Sequence, residues 1–418
     1  MTFTTYGALI ALAIAVVMIL RKVTPAYALI IGALIGGIIG GGGLEGTVQA
    51  MISGTQSMMP SVIRILTSGI LAGALVKTGS AEKIADAIVG SLGSRFAVAA
   101  VALATMIVTA VGVFVDIAVI TVAPVALAVG RRAGIQVGAL LVAMVGGGKA
   151  GNIISPNPNT IAVADAFKID LTALMMENIV PAVCAFAMTV LIAGWLSRRD
   201  RPIIEDNGED ALTANTLPKL GAAIAGPVAV IALLSLRPLF SISVDPLIAL
   251  PVGGAVSAIA CGKWRKTVEY SEYGLSKVIG VAVLLIGTGT VAGIVKGSDL
   301  NGDIVHLLQV CNLPEFLLAP ISGVLLSGAT ASTTAGATIA AQTFAGALVE
   351  SGVPAVSAAA MLHAGSTIFD ALPHGSFFHA TAGAVGISVK ERLRLFPYGT
   401  LVGATSTICS TIWYLIRN

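Results

Sequence analysis

Apolar runs long enough to cross a bilayer, about 20 residues each, recur from one end of this chain to the other, and no other feature constrains its fold so strongly. Of the 418 residues, 56% are hydrophobic and 11% charged, against roughly 25% charged in a soluble domain. The chain reads as an all-α polytopic membrane protein. A net charge of +3 is too small to argue for nucleic acid. The cysteines (Cys184, Cys261, Cys311 and Cys409) have neither metal-ligand spacing nor disulfide-scaffold density, and read as small core residues. The first apolar run lacks a basic leader and an obvious small-residue cleavage site, so no cleavable signal is expected. No HExxH, Gly-x-Ser-x-Gly, P-loop or Cys-pair motif occurs. The longest soluble segment, near 198–217, is too short for a nucleotide-binding module, so ATP-driven transport is not expected, nor is a cofactor or a metal.

Spans are expected near 5–20, 25–43, 60–77, 135–166, 171–197, 218–236, 244–262, 275–297, 353–388 and 395–415. Lys and Arg in short loops mark the cytoplasmic side. Arg21 and Lys22 follow the first span, which places the N-terminus outside. Alternation then brings Lys77, Lys83 and Arg95 inside, with Arg198, Arg199 and Arg201, then Lys263, Arg265 and Lys266, then Lys390, Arg392 and Arg394. The C-terminus falls outside. The pattern holds if 96–130 and 315–350 do not cross, or if each is a pair of ordinary spans. Their polar, small-residue tips, "VGVFVDIAVI" and "SGATASTTAGATI", favour re-entrant hairpins. Irregular backbone at membrane depth is tolerated only where protein or a water-filled cavity covers it.

The chain also resembles itself. "SGILAGALVK" (68–77) matches "TGTVAGIVK" (288–296), with Ala72 against Ala292 (292 − 72 = 220). An apolar hairpin follows each, then a Gly turn, Gly134 against Gly352 (352 − 134 = 218). Next comes a span with a polar break, "GNIISPNPNT" in one half and "TIFDALPHGS" in the other; Pro156 corresponds to His374 and Asp116 to Thr334. Five crossings per half is an odd number, so the second half enters from the opposite side. Two inverted repeats of five transmembrane spans, each with a re-entrant hairpin and a broken helix, suit a secondary transporter with its site near the midplane. The divisions expected are 1–200 (hairpin 96–130, broken span 135–166), a cytoplasmic linker 201–217, and 218–418 (hairpin 315–350, broken span 353–388).

The polar breaks carry the chemistry. In "KAGNIISPNPNTIAVAD", Pro156 and Pro158 stop the helix from re-forming, at a cost of about 3 kcal/mol for a helix-interior proline. The exposed helix N-terminus carries roughly +0.5 charge and suits a carboxylate, while freed carbonyls and side-chain oxygens suit a cation or a substrate hydroxyl. Asn152, Ser155, Asn157, Asn159 and Thr160 are the candidate substrate ligands here; the alternative is a structural kink in which they cap freed backbone. The run Gly146-Gly147-Gly148 allows close backbone approach. The second break offers Ser376 as a ligand and Asp370 and His374 as a titratable pair four residues apart, suited to coupling proton entry to anion binding or simply to a structural hydrogen bond. Asp116 is the only charge between Arg95 and Arg131, hence a proton carrier or the partner of Lys149. Lys149 either attracts the substrate carboxylate or neutralises Asp116 or Asp165. The second hairpin tip adds Thr330, Ser332, Thr333 and Thr334. His306 and His379 read as structural, and His363 as a candidate for lining the path.

The order of elements, with "SPNPNTIAVAD", "FDALPHG" and the tip "GATAST", resembles the gluconate permease family of the ion transporter superfamily over nearly the whole chain. The resemblance implies a scaffold region, a mobile transport region holding both hairpins (an elevator), a homodimer in the bacterial inner membrane, and symport of small organic anions with protons. The chain departs from the gluconate branch in having Val115-Asp116 where that branch has Tyr-Glu. It has Ser155-Pro156-Asn157-Pro158-Asn159 where the branch has Pro-Pro-His-Pro-Gly, and Pro373-His374-Gly375-Ser376 near the branch's Asn-Asp-Pro-Gly. The expected function is proton-coupled symport of a small hydroxy or keto carboxylate such as gluconate, glycerate or 3-hydroxybutyrate. The alternatives are sodium coupling through Asn152, Asn157 and Thr333 oxygens, an intramembrane enzyme using Asp116 and Asp370, and a channel.

Overall fold

The computed structural model describes residues 3–93, 96–199, 217–240, 242, 244–300, 302–303, 306, 310, 314–373 and 375–417. Among the described residues the chain is helical almost throughout, apart from an isolated bridge between Phe3 and Ser298. Of the linker expected at 201–217 only Leu217 is described, and Arg95, Arg201, Cys311 and His374 lie outside the described residues.

The first half begins with α1 (Thr5–Leu20) and α2 (Pro25–Gly37), which continues through a π-turn at Ile38–Gly42 into α3 (Gly43–Ser57) and then α4 (Met59–Lys77) and α5 (Ser80–Leu92). The stretch expected as a hairpin folds as α6 (Ala97–Ala110) and α7 (Val115–Ala133). The broken span is α8 (Val137–Asn152) and α9 (Pro158–Ala166), followed by α10 (Leu171–Glu177) and α11 (Ile179–Arg199). The second half holds α12 (Leu220–Phe240), α13 (Pro246–Ala260), α14 (Thr267–Lys296), the hairpin α15 (Leu318–Thr330) and α16 (Thr333–Glu350), the broken pair α17 (Ala355–Gly365) and α18 (Ser376–Ala384), then α19 (Val389–Arg417). Gly134 and Gly352, each following the second arm of a hairpin, have φ of +66° and +90°, a region open to glycine and costly for other residues.

Five of the described helical stretches are long and apolar enough to cross a membrane: Pro25–Ser57, Met59–Lys77, Ile179–Arg198, Trp264–Lys296 and Val389–Arg417. The expected spans 5–20, 218–236 and 244–262 fall on shorter apolar helices. Helix extent corrects the sequence reading at two places. The expected span 25–43 runs on to Ser57, and the one expected at 275–297 starts at Thr267 as a 30-residue helix, about 45 Å long. The charged stretches "GLEGTVQAMISGTQS" and "TVEYSEYGLSK" look like loops by hydropathy, yet both are helical.

Small residues hold these helices together. In α1, Ala8, Ala11 and Ala15 are buried while Leu9 and Val17 are exposed, the reverse of a soluble helix and the pattern of one whose outer face meets lipid. Gly32 and Gly36 of α2 lie so close to Ala11 and Ala15 that a Cβ on either glycine would collide with α1. The tightest crossing joins α3–α4 to α14. Gly54 abuts Gly289 and Gly293, Gly293 abuts Ala50, Gly69 abuts Gly274, and Gly73 abuts Tyr270 and Gly274. A shift of 220 carries Ala50, Gly54, Gly69 and Gly73 onto Tyr270, Gly274, Gly289 and Gly293 (270 − 50 = 220), so the contact set maps onto itself. A shift of 218 does the same for the broken helices: Gly147 abuts the carbonyl of Ala102, and Gly365 abuts that of Pro320 (365 − 147 and 320 − 102 are both 218).

Candidate functional site

Both breaks form for the reasons their residues suggest. Pro158 is the first residue of α9, and the Asn157 side chain caps that helix by accepting from the backbone N–H groups of Asn159 (2.9 Å) and Thr160 (3.2 Å). Asn157 Nδ2 donates to Asn152 Oδ1 (2.7 Å), as does Asn159 Nδ2 (3.0 Å). Ser155 Oγ donates to the Thr109 carbonyl (2.7 Å), tying the break to the first hairpin. Asn152, Ser155, Asn157 and Thr160 are buried and bonded chiefly to one another or to backbone. They build the break and do not line the large cavity below; of the first-break candidates, Asn159 alone reaches it.

The two breaks meet at Lys149. Its Nζ lies 2.7 Å from Asp370 Oδ1 and donates to the backbone oxygens of Thr367 (2.5 Å) and Gly399 (3.0 Å). Of the three N–H donors of an ammonium, two go to these carbonyls, and its charge is paired with the carboxylate. Lys149 and Asp370 are only 2% and 4% exposed, and Thr333 Oγ1 donates to the second carboxylate oxygen of Asp370 (2.8 Å). Lys149 is thus the partner of Asp370. It pairs with neither Asp116 nor Asp165, and is not free to attract a substrate carboxylate. Asp165 instead pairs with Arg64.

A cavity of about 590 Å³ opens beside this pair, within the 300–1,000 Å³ usual for small-molecule sites. Its lining comes from both hairpin tips (Phe114–Ile117 and Thr330–Ala335), from Asn159, from Asp370 and Gly375–Phe377 at the second break, and from α14 between Lys277 and Leu284. The first turns of α2, α7, α9, α16 and α18 therefore meet at one space. Ser332 caps α16 by accepting from the Ala335 N–H (3.2 Å), and Thr330 Oγ1 donates to the Leu326 carbonyl (2.8 Å). Thr334 Oγ1 donates to Asn159 Oδ1 across the halves (2.5 Å). Ser376 is exposed in the lining. Asp116 also lines the cavity, with its carboxylate accepting from the Ile117 N–H (2.9 Å) and no ion-pair partner among the described residues.

Two residues near this cavity escaped the sequence reading. Lys277 is the one basic residue in the described lining; it falls just inside the span expected at 275–297 and was not among the expected site residues. Arg392, counted among the loop cations, is 2% exposed, donates Nε to Thr381 Oγ1 (3.2 Å) and lies over the Phe378 ring. Of the histidines, His306 is exposed, His379 bonds the Pro373 carbonyl (2.8 Å), and His363 is fully buried without lining the cavity.

A second, smaller cavity of about 210 Å³ is bounded by Arg64, Asp165, Lys168 and Val244–Pro246. Arg64 of α4 holds both carboxylates around it: Asp245 in a bidentate contact (3.0 and 2.6 Å) and Asp165 at the end of α9. Val244–Pro246 stand 220 positions beyond Thr24–Ala26, which line the larger cavity (244 − 24 = 220).

Comparison with known proteins gives a consistent picture. The profile of the GntP family permeases matches residues 3–416. An uncharacterized transporter of Haemophilus influenzae is 50% identical over 411 residues, covering 98% of each chain. A high-affinity gluconate transporter of Escherichia coli is 23% identical over 417 residues, covering 92% of each. The crystal structure of the YdaH transporter of Alcanivorax borkumensis, described as having an unusual topology, superposes with a TM-score of 0.70 at 15% identity over 99% of both chains, a likeness of fold.

Proposed function

The chain belongs to the GntP permease family and is a multi-pass secondary permease, and from the chemistry of its cavity we propose that it carries a small organic carboxylate by proton-coupled symport. The observation that carries this reading is the convergence of five helix N-termini, those of α2, α7, α9, α16 and α18, on one cavity that also holds Lys277. Each N-terminus contributes partial positive charge, and the lysine adds a full charge. The hydroxyls of Ser332, Thr333, Thr334 and Ser376 and the amide of Asn159 supply partners for hydroxyl groups on the substrate. That combination favours hydroxy acids such as gluconate, glycerate or 3-hydroxybutyrate. Asn152, Ser155, Asn157 and Thr160 act from behind, by holding the first break open.

The coupling proton is assigned to Asp116. A carboxylate without an ion-pair partner beside an anion site is most easily occupied when protonated, and a proton there lets the anion enter without repulsion. Asp370, already neutralised by Lys149, serves as the structural tie between the breaks; His374 lies outside the described residues. The family assignment answers the intramembrane-enzyme alternative: Asp116 and Asp370 are two walls of a transport cavity.

Transport then follows from the internal repeat. The contact sets that map onto themselves under shifts of 220 and 218 support two inverted halves, with α3–α4 and α14 as scaffold and the hairpins and broken helices as the moving part. The larger cavity and the smaller one lined by Arg64 stand as alternate access routes, each sealed in turn while the other opens. In the same proposal the hairpins are re-entrant, the protein is a homodimer in the inner membrane, and both termini face outward. Purified protein in liposomes is expected to accumulate labelled gluconate, glycerate or 3-hydroxybutyrate when an inward proton gradient is imposed. Uptake driven by sodium alone, indifferent to the proton gradient, would overturn the coupling; no uptake of any small carboxylate would overturn the substrate class.

A further inference from the structure

Lys149 sits in surroundings more typical of a bound cation than of a lysine. Its nitrogen is enclosed by one carboxylate oxygen, Asp370 Oδ1, and two backbone carbonyls, from Thr367 and Gly399, at 2.5–3.0 Å. The three oxygens come from two different segments, the second break and α19, while the ammonium is delivered by a third, α8. Both side chains of the pair are almost wholly buried. A carboxylate, a carbonyl freed at a helix break and a neighbouring helix carbonyl make an oxygen shell of the type that holds a monovalent cation.

The internal repeat shows that the charge is specific to this arrangement. At the 218 offset, Lys149 corresponds to Thr367, and Asp370 to Asn152 (367 − 149 and 370 − 152 are both 218). The two breaks thus face each other with equivalent backbone but unequal chemistry, cation and anion replacing a neutral Thr and Asn. Each charge answers the other. Neither has a use in the fold without its partner, since a buried charge left unpaired is strongly destabilising.

We propose that the Lys149 ammonium is a tethered occupant of a latent monovalent-cation site built by Asp370, Thr367 and Gly399, and that it thereby frees transport from dependence on sodium. The proposal rests on the reading of this chain as a secondary permease whose coupling proton is carried by Asp116, apart from this junction. Arg392 is the other charge acting on the pair, and Asp116 shares the neighbouring cavity with Asp370. Neither contributes an atom to the shell, so the site's occupancy depends on Lys149 itself.

The test is cation-dependent stability of the purified full-length protein. Thermal unfolding is followed in choline chloride and, at equal ionic strength, in rising sodium, potassium or methylammonium chloride. The unsubstituted protein should show no cation-specific shift. Lys149→Ala, which leaves the oxygens in place around a space large enough for an ion, should gain a saturable rise of several degrees with at least one of the three, as expected when a ligand binds only the folded state. Lys149→Met with Asp370→Asn removes both charges together, folds without an unpaired charge, and should lose the response. A Lys149→Ala protein that melts identically in every salt, that unfolds in all of them, or whose response survives in the double variant would overturn the proposal. Uptake driven by a proton gradient is measured separately. A failure there strikes the coupling reading and leaves the cation result standing, and the reverse holds as well.

Discussion

Thr334 of the second hairpin donates a 2.5 Å hydrogen bond to Asn159 of the first broken helix, so one wall of the cavity is closed by a contact between the two halves of the chain. Losing one partner of a buried hydrogen bond costs about 1–3 kcal/mol where the other is left unsatisfied. Thr334→Val and Asn159→Ala are each expected to reduce substrate affinity about fivefold to a hundredfold. The double variant should be little worse than either, because the two residues act through one contact. Binding measured by isothermal titration on all three variants checks this; strictly additive losses would show that each residue meets the substrate independently.

Lys277 is the cation of the cavity. Lys277→Gln is expected to raise the KM for carboxylate uptake about tenfold to a hundredfold, from the loss of a charge-assisted contact of about 1.5–3 kcal/mol. Lys277→Arg should retain most of the affinity. A KM unchanged in Lys277→Gln would place anion recognition on the helix N-termini alone.

Asp116→Asn cannot cycle between charged and neutral forms. Accumulation driven by a proton gradient should fall to the equilibrium level in this variant, while exchange of labelled for unlabelled substrate across the liposome membrane continues. Asp370→Asn should behave differently. It strands the Lys149 charge, at a cost of about 3–5 kcal/mol, and should reduce folded yield and exchange together. Retained gradient-driven accumulation in Asp116→Asn would remove this residue from the coupling step.

Arg64 joins Asp245 at the start of α13 to Asp165 at the end of α9, in the lining of the smaller cavity. Arg64→Gln should favour the state in which that cavity is open. A cysteine introduced at Ala164, in its lining, in a background free of other cysteines, should then react about fivefold faster or more with a membrane-impermeant maleimide, corresponding to a coupling of roughly 1 kcal/mol or above. Equal labelling rates with and without the Arg64 guanidinium would show that the contact only decorates a cavity closed by other means.

Much of this architecture was legible because its costs are written in residue types. Pro156 and Pro158 can only interrupt a helix, Gly134 and Gly352 mark matching turns, and the offset near 220 ties the halves together. Helix length was not legible. Gly43–Ser57 and Thr267–Lys277 have the polarity of a loop, yet continue as helix, and the glycines within them, Gly54 and Gly274, pack against the opposite half. The partner of Lys149 was also missed. The sequence reading offered Asp116 or Asp165, whereas the fold brings Thr367 and Asp370 to Lys149. Once both breaks are taken to meet at a two-fold relation, the pair follows from the 218 offset. Lys277 and Arg392 were hidden for a simpler reason: hydropathy counts a charge without revealing the direction in which its side chain points.

The glycine crossing of α3–α4 with α14 has a consequence for what the permease can distinguish. A contact made mostly of backbone has few rotamers to exchange and little side-chain volume to trade. The wall that α14 presents to the cavity therefore stands at a separation fixed by atomic radii, like the stationary jaw of a caliper. Any adjustment to a longer or bulkier acid must come from the opposite jaw, formed by the hairpin tips. Substrate range in this protein is then a property of two short turns, Phe114–Ile117 and Thr330–Ala335, and exchanging those turns between relatives should carry size preference with them.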